Sequence, residues 1–144
     1  MNKRLDIKQQ EPEAYNIMLS FEKYLSKITL TKAHKNLIKV RASQLNGCSY
    51  CIDMHTKEAR ADGESEQRLY LVSAWRDTSF FTEEEQAILA VTEEVTFIHQ
   101  RLSDTTYQRA VKALGEKYVA QVMMAVIVIN AWNRIGVATE MQPA

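Results

Sequence analysis

Glycine and proline are scarce in this chain, with four and two among 144 residues. These are the strongest local breakers of regular structure, so few interruptions are available and the segments between them must be long. Within those segments apolar residues recur at intervals of three and four, and no alternating apolar and polar run marks a strand. The expected fold is all-α, with about six or seven helices joined by short loops in a single domain over residues 1–144.

The boundaries can be placed from end signals. Pro12 suits a first helical turn, where its missing N–H costs nothing, so a helix is predicted over Pro12–Ser26. Ala14, Ile17, Met18, Phe21 and Leu25 form its apolar stripe. The next helix is predicted over Lys32–Leu45, ended by Asn46-Gly47, since glycine tolerates the left-handed conformation. A third begins at the cysteine motif and ends near Gly63. A fourth covers Ser65–Arg76, with Ser65 as N-cap. Thr82 and Glu85 form a capping box for a helix carrying Ile88, Leu89, Val91, Val95 and Ile98. Asp104 is the expected N-cap of a short helix that stops at Gly115.

The last helix is predicted over Glu116–Thr139. Its middle is apolar on nearly all sides, which implies burial all round, in part against another subunit. Asn130, Asn133 and Arg134 lie in or just after that stretch. Buried polar groups need partners, so these residues are expected to bond across helices or across a subunit boundary. Trp75 and Trp132 are expected to anchor the core or an interface.

Lys plus Arg and Asp plus Glu both number 18. That balance gives no electrostatic reason to expect nucleic acid or an anionic membrane as partner. The first residues lack the apolar run of a signal peptide. Tyr118–Trp132 is shorter than a bilayer span requires. A cytoplasmic protein is expected. Thiols are kept reduced there, so a Cys-x-x-Cys pair is more often catalytic or metal-binding than a staple.

Such a pair stands in "GCSYCIDMH", residues 47–55. Gly47 ends one helix, so Cys48 starts the next, where unpaired N–H groups favour a thiolate. Residues three and four apart share a helix face, which puts Cys48, Cys51 and His55 on one stripe. One thiolate can attack an oxidant and become a sulfenic acid, and the second can condense with it to a disulfide. His55 can take or deliver the proton. Other readings of these residues are a redox sensor that changes assembly without turnover, two inert buried thiols, and a zinc module. The zinc module would have Cys48, Cys51 and His55 as three ligands and lacks an evident fourth. Thioredoxin-like folds are excluded, because no strand precedes Cys48. No cofactor and no resident metal are expected.

The stretch from Arg41 to Thr96, with "NGCSYCIDMHTKEAR" and "SAWR", and "INAWNRIGVA" from Ile129 to Ala138, resembles the carboxymuconolactone decarboxylase family, in its alkylhydroperoxidase D-like branch. The resemblance implies a helical domain assembled into dimers, trimers or hexamers. It also implies a thiol peroxidase that reduces organic hydroperoxides. Cys51 would be the attacking thiolate, Cys48 the resolving partner and His55 part of a proton relay. A dithiol reductant, in particular a lipoyl-bearing protein, is the implied electron donor. The family's decarboxylases do not rely on this cysteine pair, so a muconolactone substrate is disfavoured. The relay glutamate usual in the branch falls on Asn36, twelve residues before Cys48. An amide cannot accept a proton as a carboxylate does, but it can orient His55 or a water. Glu58, Glu93 or Glu94 could replace that carboxylate. Tyr50, between the cysteines, could donate to a departing oxygen. Asp53 lies on the opposite helix face.

Overall fold

A computed structural model of the chain describes residues 4–144. It is all-α, with eight α-helices, two 3-10 turns and no strand among the described residues. The helices are α1 (Ile7–Gln10), α2 (Pro12–Leu25), α3 (Lys32–Asn46), α4 (Ser49–Ala61), α5 (Glu66–Leu71), α6 (Glu83–Thr96), α7 (Asp104–Leu114) and α8 (Glu116–Ala138). The 3-10 turns cover Val72–Asp77 and Ile98–Gln100.

Most of the expected end signals act as read. Gly47 closes α3 in the left-handed conformation at φ 66°. Thr82 and Glu85 make the reciprocal capping box of α6. Several expectations are corrected. First, α1 precedes the first expected helix; it buries no residue, so it leaves no apolar period to read. Second, the helix expected over Ser65–Arg76 ends at Leu71, and the chain tightens into a 3-10 turn in which Ala74 leaves helical geometry. That turn sends Trp75 into the core with its indole N–H on Glu93, 2.7 Å away. Third, the N-cap of α7 is Ser103, whose hydroxyl accepts from the Thr106 N–H, while Asp104 enters the first turn. Fourth, the stripe of α2 buries only Leu25, and Ile17 is 58% exposed. Ile98, expected within the same helix as Ile88, lies beyond the end of α6 and is exposed.

The core forms around α8 and α3. Val119, Val122, Val126 and Ile129 of α8 pack with Ile38 and Ala42 of α3, Ile88 and Val91 of α6, and Ala110 of α7. A second cluster uses another side of α3: Leu37 and Val40 meet Ala59, Leu69, Val72, Trp75 and Leu89. By length and composition α8 could cross a membrane, but 56% of its most apolar stretch is buried inside the protein. Burial on this scale, at about 25 cal/mol per Å², is the main favourable term in folding.

The polar residues of α8 then fix its register. Asn46 at the end of α3 donates to both Asn130 Oδ1 at 2.9 Å and Asn133 Oδ1 at 3.0 Å. Asn133 donates in turn to Ser43 Oγ, and Asn130 to Thr96 Oγ1, each at 3.0 Å. These are the cross-helix bonds expected of Asn130 and Asn133. Arg134 differs: it bonds Asn130 within α8. Every buried side-chain nitrogen and oxygen among the described residues has a partner. This network holds the end of α3, and so the start of α4, against α8.

Candidate active site

The site begins where α3 stops. Gly47 turns the chain, Cys48 becomes the N-cap of α4, and its Sγ accepts from the Cys51 N–H at 3.3 Å. A disulfide joins Cys48 to Cys51 across Cα atoms 5.2 Å apart. Both sulfurs are buried. From the other side α8 approaches through Gly136. A Cβ at that position would stand 2.8 Å from Cys48 Sγ and 3.3 Å from Cys51 Sγ, so only glycine fits without displacement.

Cys51, and not Cys48, lines a cavity of about 290 Å³. Tyr15, Leu19 and Glu22 of α2 form one wall, and Lys39 of α3 another. Tyr50, Met54, His55 and Glu58 come from α4. Trp132, Ile135 and Gly136 of α8 complete it, with Met141 beyond the helix end. A larger cleft of about 690 Å³ shares Tyr15, Ile135 and Met141 with it but is lined by no cysteine or histidine.

The tautomer of His55 follows from its neighbour. Its Nδ1 lies 2.7 Å from Glu58 Oε2. A carboxylate only accepts, so Nδ1 carries the hydrogen and Nε2 is left as a bare proton acceptor. Burial holds the His55 pKa below its ordinary value, against the raising effect of its hydrogen bond to Glu58, and Lys39 pushes it the same way as burial. The imidazole is therefore neutral at pH 7.

The expected relay position behaves differently. Asn36 is buried, and its amide donates to Asp62 Oδ2 at 3.0 Å, near the far end of α4. Its hydrogen bond does not orient His55; the carboxylate on His55 is Glu58. Glu93 is engaged by Arg41, Arg76 and Trp75. Burial alone would raise its carboxyl, but those three bonds outweigh it and hold it below the usual range. Glu94 caps the start of α7 through Ser103 and Thr106. Asp53 pairs with Lys57 at 2.7 Å, away from the cavity. Tyr50 lies beside Cys51 in the cavity wall.

Glu22, Lys39 and Gly136 are among the cavity residues that escaped the sequence reading. Lys39 is one turn beyond Asn36 on α3, a spacing that places it on the same side. Gly136 lies inside a long helix, where glycine costs about 1 kcal/mol against alanine and so signals close packing. Trp132, expected as an anchor, is also a cavity wall. Its indole N–H donates to Glu22 at 3.0 Å, and Tyr15 stands edge-on to it at 5.4 Å. No three His, Cys, Asp or Glu side chains are grouped as metal ligands among the described residues.

An all-α chain with a Cys-x-x-Cys disulfide and a histidine four residues on carries the pattern of the AhpD-like branch that the sequence resembles. The model of the carboxymuconolactone decarboxylase family matches residues 12–94, and the chain belongs to that family. The uncharacterized protein YdfG of Bacillus subtilis is 39% identical over 139 residues, covering 96% of this chain and 95% of its own. A crystal structure from Agrobacterium tumefaciens, of unknown function and named as an AhpD antioxidant-defence candidate, matches with a TM-score of 0.96 and 35% identity over 99% of both chains. An uncharacterized peroxidase-related protein of Ralstonia eutropha, described as an alkylhydroperoxidase AhpD core, has a TM-score of 0.84. At 16% identity over 95% of this chain and 74% of that one, it shares the fold.

Proposed function

We propose that the chain is a thiol-dependent peroxidase acting on organic hydroperoxides. The observation that carries this reading is the division of the pair: Cys51 opens on a cavity that also holds His55, while Cys48 lies behind it. The Cys51 thiol loses its proton to His55 Nε2. The thiolate attacks the peroxide oxygen, the O–O bond breaks, and Cys51 becomes a sulfenic acid as the alcohol departs with a proton. Cys48 then displaces water from that sulfenic acid and forms the disulfide seen here. A dithiol, for which a lipoyl group is the family's suggestion, exchanges with the disulfide and restores both thiols. Glu58 supports His55 in the role that the resemblance gives to a glutamate at position 36. The walls are mainly apolar and aromatic, which suits an organic peroxide better than hydrogen peroxide.

The test is consumption of cumene hydroperoxide by the purified protein with dihydrolipoamide as reductant. Sustained turnover with loss of both reagents in equal amounts is expected. A disulfide that forms once, with no turnover, would leave the chain a redox sensor instead.

The same reading takes the protein as a cytoplasmic homo-oligomer with no nucleic-acid or membrane partner. Ile17, Phe21 and Tyr24 of α2 and Ile127 of α8 are exposed apolar side chains in one chain, and a second copy would cover them. Light scattering is expected to give a mass above 16.5 kDa. A monomer at micromolar concentration would overturn this.

A further inference from the structure

Cys48 and Cys51 compete to be the thiolate of the reduced pair. The start of α4 favours Cys48, whose sulfur is the N-cap acceptor for the Cys51 N–H. Yet Cys51 is the cysteine of the pair that lines the cavity. Its ionisation needs a source of positive field other than the helix end.

The titratable groups facing the cavity come from three elements. Tyr15 and Glu22 belong to α2, Lys39 to α3, and Tyr50, His55 and Glu58 to α4; α8 adds none. The two carboxylates oppose a thiolate, but each already accepts a hydrogen bond, Glu22 from Trp132 and Glu58 from His55. His55 is neutral. Lys39 is the one cation of the set. It is half-buried and joins no ion pair among the described residues. Its charge is felt at His55, across the same space. With Asn36 turned to Asp62, the group that α3 presents to the cavity is an ammonium and not a carboxylate.

We propose that Lys39 is a positioning residue that makes Cys51, rather than Cys48, the thiolate of the reduced pair. The use of that thiolate rests on the peroxidase reading; its existence does not. An opposite charge facing the same space favours the ionised form of an acid and lowers its pKa.

The experiment is alkylation of the fully reduced chain by iodoacetamide across a pH series, with peptide mass spectrometry separating Cys48 from Cys51. In Lys39→Met the midpoint for Cys51 is expected to rise by about one pH unit, with a smaller change at Cys48. Lys39→Arg restores it. Lys39→Gln repeats the test should the methionine variant misfold. An unmoved Cys51 midpoint, an equal shift at both cysteines, or no restoration by arginine would overturn the proposal. Alkylation needs no peroxide, so a chain without peroxidase turnover still decides it.

Discussion

Cys51→Ser is expected to lose all hydroperoxide turnover, and Cys48→Ser to stop after one equivalent. The difference comes from placement. A peroxide entering the cavity meets Cys51, because Cys48 is not part of its wall. Serine at position 51 removes the one thiol that lines it among the described residues, and an alcohol at neutral pH is a far weaker nucleophile than a thiolate. Serine at position 48 leaves the attack intact. The sulfenic acid then has no resolving thiol, so the reaction stalls with Cys51 oxidised. Stopped-flow peroxide consumption should show a burst of one equivalent in Cys48→Ser, and a 1,3-diketone should label its Cys51. A burst in Cys51→Ser instead would exchange the two roles.

Gly136→Ala should lower stability, against the usual sign for that substitution in a helix. Alanine normally gains about 1 kcal/mol over glycine inside a helix. Here its Cβ would stand 2.8 Å from Cys48 Sγ, and the disulfide ties that sulfur to a second one 3.3 Å away. Overpacking of this kind costs about 1 to 3 kcal/mol, so the clash exceeds the gain. Reduction makes matters worse, since two unbonded thiols need more room than a disulfide. Thermal melts of both redox forms check this. A drop of a few degrees is expected in the oxidised protein and a larger one in the reduced protein. Equal or higher melting than wild type would mean that α8 shifts freely there.

Several helix ends were legible from a local signal, although the N-cap of α7 falls on Ser103 and not on Asp104. Pro12, Gly47, Thr82 with Glu85, and Gly115 each act locally, and each is found where the pattern places it. The break at Leu71 was not legible, because it depends on where Trp75 must go to reach Glu93. The stripe of α2 had the right period, but a period cannot say whether the covering surface belongs to the same chain. Cys48, Cys51 and His55 could be grouped because they share one helix. Glu22, Lys39 and Trp132 come to the cavity from α2, α3 and α8, and only tertiary packing joins them. Asn36 shows the limit from the other direction: its position on α3 is as expected, but Asp62 takes its amide.

The cysteines are three residues apart, so their bond closes a very short ring of chain. A cross-link restricts the unfolded chain in proportion to the logarithm of the loop it closes. For a loop this small the chain-entropy relation gives only about 2 kcal/mol. A domain's net stability is about 5 to 15 kcal/mol, and here it is carried by α3, α6 and α8. Breaking the bond thus releases little conformational freedom. The scaffold can open and close its disulfide repeatedly while remaining folded, so the bond is free to serve as a consumable of the chemistry and not as a rivet of the fold.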